Sequence, residues 1–426
     1  MIDDTGPVNP MDDANRNEPS SPTVLAGVRV LDMARVLAGP WAAQLLADFG
    51  AEVIKIERPA GGDDSRSWEP SFVSSQDPHE RHSAYFCSAN RGKQSVTIDF
   101  ADPDGARLVR ELAGGSDVLI ENYKTGTLAR HGLGYEQLSA INPRLIYCSV
   151  TGFGQTGPYR GRAGYDTIIQ ALGGMMSLTG ELDHLPGGGP QRAGLPVIDL
   201  LTGVYAALAI LGALRLREQT GRGQYLDLAL LDVHVSSLSY FGMNYLASGQ
   251  VPRRMGNSNP VTYPSGTFTS ADGSVVLLVG NDQQFARFCT ALGLPGLATD
   301  DRFGSSPQRV ANAPALAALI SPALASRPGA HWIEALEACG VPCAPINDLA
   351  AVFADPQVRA RDNVASVNHP SLGPIPVLAN PMRMSASPIR YEVPPPRLGE
   401  HTDAVLRQRL AMADAQLAAL RERGVI

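Results

Sequence analysis

The 426-residue chain has little of what several function classes require. Its 35 lysines and arginines stand against 42 aspartates and glutamates, a formal net charge of −7, and no basic cluster offers an electrostatic footprint for nucleic acid. No apolar stretch runs uninterrupted for the roughly 18 residues of a membrane span. The richest, around 196–216, is broken by Asp199, Thr202 and Gly203, which speaks against a membrane partner. The N-terminus, MIDDTGPVNPMDDANRNEPSSPT, has neither a basic start nor an apolar core, so residues 1–24 read as an acidic disordered tail rather than a secretory signal. These absences predict a cytoplasmic protein.

Cysteine is also sparse. Cys87, Cys148 and Cys289 sit in apolar surroundings, as core thiols do, while Cys339 and Cys343 form a C-x3-C with no second pair or histidine at zinc spacing. No metal site is expected. The motifs G-x-S-x-G and H-E-x-x-H are missing, which removes serine-hydrolase and metalloprotease readings. The first β-to-α turn, RVLAGP, lacks the G-x-G-x-x-G that a dinucleotide pyrophosphate needs.

What is present is an α/β pattern. GVRVLDM (27–33) reads as a strand, Gly39-Pro40 opens a helix through PWAAQLLADFG, and AEVIKIE (51–57) is the next strand. The alternation continues with QSVTIDF (94–100), the helix PDGARLVRELAGG, DVLIENY (117–123) and RLIYCSVTGFG (144–154). That order predicts a Rossmann-like, mainly parallel sheet covered by helices, with ligands at the carboxyl ends of its strands. From about residue 255 the texture changes to a hairpin turning at Asp272-Gly273 followed by helices, a smaller α+β domain. The predicted division is a large domain over 25–230, a linker over 231–254, the small domain over 255–345, and a linker with return to the large domain over 346–426.

One carboxylate stands out. In GLPVIDLLTG (194–203) Asp199 precedes a run of apolar residues at helical spacing. It reads either as an N-cap or as a functional carboxylate kept ionised by the N–H groups and positive end of that helix. Lys55 and Arg58, at the end of a strand beside the Gly-rich PAGGDDSR, read as a place for phosphate, with an exposed ion pair to Glu57 as the alternative. His184 and GGGP (187–190) lie in a loop whose sequence suits a flexible connection better than a base or a phosphate cradle.

Taken together, VLDMARVLAGPWAAQLLADFGAEVIKIERP, FCSANRGKQSVTIDF, DVLIENYKTGTLARHGLG, NPRLIYCSVTGFGQTGP, GYD at 164–166, GLPVIDLLTG, TGRGQYLDLALLD, GVPCAPIND and PRLGEHTDAVL resemble, in order, the class III CoA-transferases, or CaiB/BaiF family. The resemblance implies a Rossmann-like large domain built from both ends of the chain, a small domain between, and an interlocked homodimer that binds CoA between subunits. It implies no permanently bound cofactor; coenzyme A enters as acyl-CoA substrate, together with a small carboxylic acid.

By the same resemblance Asp199 is the catalytic nucleophile, passing through an aspartyl anhydride and an aspartyl-CoA thioester. Val36, Ala38, Arg58, Ile98, Asn122, Tyr123 and Arg130 match CoA-binding positions, and Leu37 and Tyr165 match positions lining the active site. Tyr165 stands where related racemases carry a histidine base, and a phenol, which ordinarily ionises at about pH 10, is a poor base near neutrality. CoA transfer is thereby favoured over an acyl-CoA racemase or epimerase and over a non-catalytic CoA-binding member. Leu37 replaces a glutamine of formyl-CoA:oxalate transferases, which argues against oxalate.

Overall fold

The computed structural model describes residues 23–74, 80–259 and 261–426; the predicted tail lies outside these but for its last two residues. Six strands form one sheet: β1 (Arg29–Asp32), β2 (Glu52–Glu57), β3 (Lys93–Thr97), β4 (Val118–Glu121), β5 (Ile146–Thr151) and β6 (Tyr225–Ala229). All neighbours pair in parallel, in the order β3-β2-β1-β4-β5-β6. This is the doubly wound order, in which the winding reverses between β1 and β4. Helices cover both faces, so the strands bury apolar and polar side chains alike: Val30, Leu31, Val53, Val118, Leu119, Ile120 and Ile146 are sealed from solvent, and so are Lys55, Lys93 and Ser95.

Helix α1 (Ala38–Asp48) follows β1, with Pro40 in the first turn, where its missing N–H costs no hydrogen bond. Helix α2 (Pro103–Gly114) is capped by Asp102, whose side chain accepts from Asp104 N–H. The returning segment ends in two helices, α4 (Thr402–Leu410) and α5 (Asp414–Glu422), separated by Ala411 with a φ of 53°. Their Val405, Leu406, Leu417 and Leu420 join the core formed by Leu108, Val109 and Leu112 of α2. The C-terminus thus completes the sheet domain.

Helix α3 (Val197–Thr220) is the one helix among the described residues long and apolar enough to cross a membrane by length and composition. Sequence reading predicted no such segment, because Asp199, Thr202 and Gly203 interrupt it; as a helix, the whole stretch still passes that test. Its Ile198, Ala206, Ala207, Ile210, Ala213 and Leu214 are buried, so this is a core helix of the unit that holds the sheet.

The chain divides into two compact units, one of Met1–Ile169, Leu195–Ser237 and Asp362–Ile426, the other of Gln170–Gly194 and Leu238–Arg361. Residues 170–194 therefore leave the larger unit to which sequence reading assigned them. The stretch read as a linker, 231–254, is helical over Leu230–Ser237 and Ser239–Ser248, with the break at Leu238 just before Ser239, whose φ is 49°. In the second unit, strands Ser265–Ser270, Gly273–Leu278 and Cys343–Pro345 form an antiparallel sheet. Phe285, Phe288, Phe303, Leu316, Ile320, Trp332 and Leu336 pack against it. His184 is exposed in this unit.

Candidate active site

At the carboxyl edge, where β1 and β4 part, lies a cleft of about 200 Å³. Its walls are the turn Arg35 to Ala38 after β1, Asn122 to Thr125 after β4, Arg160 to Tyr165, and Asp199 from the first turn of α3. Chain reversal at this point leaves the two loops splayed apart, which is why doubly wound sheets open here.

Side chains hold the β1 turn from both sides. Asn122 accepts Arg35 N–H at 2.9 Å and donates to Arg35 O at 2.7 Å. Val36 has a φ of 69°, a left-handed conformation that costs a residue with a Cβ about 1–2 kcal/mol. Its N–H meets both carboxylate oxygens of Asp63 at 3.2 Å. Gly39 is required because a Cβ there would come within 2.3 Å of the Ala34 Cβ. The N–H groups of Leu37, Ala38 and Gly39, at the start of α1, have no acceptor among the described residues.

Gly203 brings the second helix close. A Cβ at this position would stand 2.7 Å from Ala38 O and 2.9 Å from Trp41 Cδ1, so α3 lies with its first turns directly on the start of α1. Asp199 is one turn before Gly203 and enters the cleft beside Leu37 and Ala38.

Asp199 is the third residue of α3, neither its cap nor the residue before it. Pro196 takes the N-cap position without a side-chain bond, and the cap comes from elsewhere: Asp166 Oδ2 accepts Ile198 N–H at 2.8 Å and Asp199 N–H at 3.2 Å. This corrects the expectation that the helix N-terminus keeps Asp199 ionised. Burial and the negative charge of Asp166 push the Asp199 carboxyl up to about 7. Tyr85 lies close enough for burial and the charges of Asp199, Asp63 and Asp166 to push its phenol up to about 12, so it stays a hydrogen-bond donor.

Arg35, Lys124, Arg160 and Arg162 line the cleft too, as does Asp64. Arg35 lies over the Tyr123 ring at 4.6 Å and contacts Asp64 at 3.4 Å, and Arg162 lies over the Tyr159 ring at 3.9 Å. Lys124 and Arg160 have no ion-pair partner among the described residues.

Of the residues singled out from sequence, Asp199, Leu37, Tyr165, Val36, Ala38, Asn122 and Tyr123 line this one cleft. Arg58 does not: it pairs with Asp64 at 2.6 Å, and only Asp64 lines the cleft. Arg130 is exposed at the end of the short helix Thr127–Arg130, outside the lining. Ile98 is 1% exposed and belongs to the hydrophobic core.

Lys55 is corrected outright. It is fully buried, 3.0 Å from Asp63 and 3.9 Å from Asp32, so its ammonium faces carboxylates inside the fold rather than a ligand at the surface. Glu57 pairs with Arg66 at 2.6 Å rather than with Arg58. Sequence reading assigned no role to Asp63, Tyr85, Arg160, Arg162 or Asp166. Asp166 stood in the GYD segment, but its partner N–H groups are 33 residues away in Asp199 and one fewer in Ile198.

The family described as CoA-transferase family III matches residues 25–402. The chain is 46% identical over 390 residues to a succinate–glutarate CoA-transferase of Agrobacterium fabrum, covering 92% of this chain and 96% of that one. It is 40% identical over 417 residues to human succinyl-CoA:glutarate CoA-transferase, covering 98% and 92%. Among solved structures, a CaiB/BaiF family protein from Brucella suis superposes with a TM-score of 0.82 at 45% identity, covering 91% of this chain and 99% of that one. The cleft at the β1–β4 switch, with its half-buried aspartate, is thus set in a chain that belongs to CoA-transferase family III.

Proposed function

We propose that this protein moves CoA from a short dicarboxylyl-CoA to a short dicarboxylic acid, with Asp199 as nucleophile. The observation that carries the reading is Asp199 itself, a carboxylate that shares one cleft with Arg35, Lys124, Arg160 and Arg162 and with Leu37 and Ala38, whose N–H groups have no acceptor among the described residues. The names of the bacterial and human relatives, succinate–glutarate and succinyl-CoA:glutarate CoA-transferase, support the substrate class. Uncommitted Lys124 and Arg160 suit an anionic substrate.

In this mechanism the ionised Asp199 attacks the thioester carbonyl, the carbon–sulfur bond breaks, and an aspartyl–acyl anhydride and CoA thiolate result. The thiolate attacks the aspartyl carbonyl, giving an aspartyl-CoA thioester and releasing the donor acid. The acceptor carboxylate then attacks that thioester, re-forming an anhydride, and the thiolate takes the acceptor acyl group and frees Asp199. N–H groups at the start of α1 are suited to stabilise the oxyanions of these steps. A carboxyl pushed up to about 7 is about half ionised at neutral pH, and its ionised form is a more basic nucleophile than an ordinary carboxylate.

The reading includes a homodimer. Val204, Tyr205, Leu208 and Leu216 leave an exposed apolar stripe on α3, and a second copy of the chain is the occupant that fits a face this apolar. Buried free thiols at Cys87 and Cys148 agree with a reducing, cytoplasmic setting. The test is to incubate the protein with succinyl-CoA and glutarate, follow glutaryl-CoA by mass spectrometry, and trap the intermediate with hydroxylamine. A mass change at Asp199 is expected. Transfer that persists in Asp199→Ala, with no modification at that position, would overturn the mechanism.

A further inference from the structure

We infer that Asp63 is a positioning residue for the transfer reaction, acting through the backbone of Val36. The inference rests on the reading of the cleft as the CoA-transfer site. One carboxylate gathers a set of donors: Val36 N–H on both oxygens at 3.2 Å, Ser65 N–H at 3.0 Å and Ser65 Oγ at 2.8 Å on Oδ1, and Lys55 Nζ at 3.0 Å on Oδ2. Lys55 Nζ also donates to Ala34 O at 2.8 Å. The buried Lys55–Asp63 pair therefore grips the β1 turn at two points, the carbonyl of Ala34 and the N–H of Val36, while Asn122 clasps Arg35 between them.

This grip has a reason in Val36. Glycine adopts a φ of 69° freely, but valine must be held there by contacts, and Asp63 supplies the side-chain acceptor for its N–H. Whatever conformation Val36 takes sets the direction of the peptides that follow. Those peptides carry the unpaired N–H groups of Leu37 and Ala38, which share the cleft with Asp199. Asp63 thus controls the reacting geometry without lining the cleft itself.

A purely electrostatic role, in which Asp63 only neutralises Lys55, makes a different prediction. In that case the loss of Asp63 is felt equally whichever residue stands at position 36. The experiment is a double-mutant comparison of Asp63→Ala and Val36→Gly, alone and combined, in the full-length protein, reading kcat and KM for CoA exchange. A misplacement of this kind lowers kcat by about 100-fold in Asp63→Ala. Val36→Gly in that background is expected to restore about tenfold, a coupling that independent sites do not produce. Equal effects of Val36→Gly in both backgrounds, or unchanged kcat in folded Asp63→Ala, would overturn the inference.

Asp63→Asn, which keeps the shape and an acceptor oxygen, serves as the second background if the alanine variant does not fold. Should the wild type catalyse no CoA exchange, the functional reading fails and the positioning claim is read separately from amide exchange over residues 33–41. Faster exchange in the Asp63 variant that Val36→Gly reverses supports the grip, and exchange that Val36→Gly leaves unaltered refutes it.

Discussion

Asp166 Oδ2 accepts the backbone N–H of Asp199 at 3.2 Å, so the helix bearing the candidate nucleophile is capped by a second carboxylate from another segment. The cap fixes where Asp199 stands and at the same time sets a negative charge beside it. The two effects act in opposite directions on a nucleophile, better placement against harder ionisation, and they lead to measurable consequences.

The first is the acid limb of the reaction. In the proposed mechanism Asp199 attacks as the ionised carboxylate, and its carboxyl is pushed up to about 7 by burial and by Asp166. In wild-type protein kcat/KM for the acyl-CoA donor is expected to rise with pH and level off above that value. Asp166→Asn removes the like charge, so the limb moves to lower pH. A pH–rate profile of both proteins checks this, and a limb that stays in place assigns the titration to another group.

Stability carries the same signature with its sign reversed from the usual carboxylate. Between its ordinary value and about 7, Asp199 is protonated in the folded protein and ionised in the unfolded chain, so the folded state holds the extra proton and stability falls as pH rises through this window. Asp199→Asn has no proton to lose. It is expected to abolish transfer yet melt a few degrees higher than wild type at pH 8, with the gap closing toward pH 4. Thermal melts across that range decide the point.

Gly203→Ala tests the approach of α3 to α1. The added Cβ meets Ala38 O at 2.7 Å and Trp41 Cδ1 at 2.9 Å, and one of these is backbone that cannot rotate aside. Overpacking of this kind costs about 1–3 kcal/mol. Because the strain lifts the turn that carries Asp199, kcat should fall by about 100-fold, more than the loss of stability explains. Chemical denaturation and steady-state kinetics measured on one preparation separate the two.

Lys55→Met leaves Asp63 and Asp32 in a buried site with one cation fewer. Removing one partner of a buried ion pair costs about 3–5 kcal/mol, and Lys93, 2.8 Å from Asp32 Oδ2, compensates only on that side. Urea denaturation is expected to show the loss, and a variant as stable as wild type would mean that the pair is not a structural tie.

Leu208 is 62% exposed in the middle of the apolar stripe on α3. Leu208→Asp should shift the protein from dimer to monomer in light scattering and lower CoA exchange with it. A wild-type monomer, or an unchanged dimer in the variant, would contradict the proposed use of this face.

Much of the sheet was legible because strand and helix periodicity are local properties: the strands at Arg29–Asp32, Glu52–Glu57 and Val118–Glu121 fall within the segments read from apolar runs. So were Asp199 and the residues of the two loops at the β1–β4 switch, through a resemblance spread along the whole chain. The place of Lys55 is not legible, because sequence displays a charge without its depth. A lysine ending a strand next to glycines looks the same whether it faces a phosphate or, as here, a buried aspartate.

The sequence by itself determined the class of fold, the family and the candidate nucleophile, since these follow from patterns along the chain. Only the tertiary structure decided what surrounds that nucleophile: that Asp166 caps its helix, that Asp63 holds Val36, and that Ile98 is core while Tyr85 stands among the carboxylates. Each of these depends on residues distant in sequence meeting within a few ångströms, and burial and charge, which set a carboxyl's affinity for its proton, exist only once they have met.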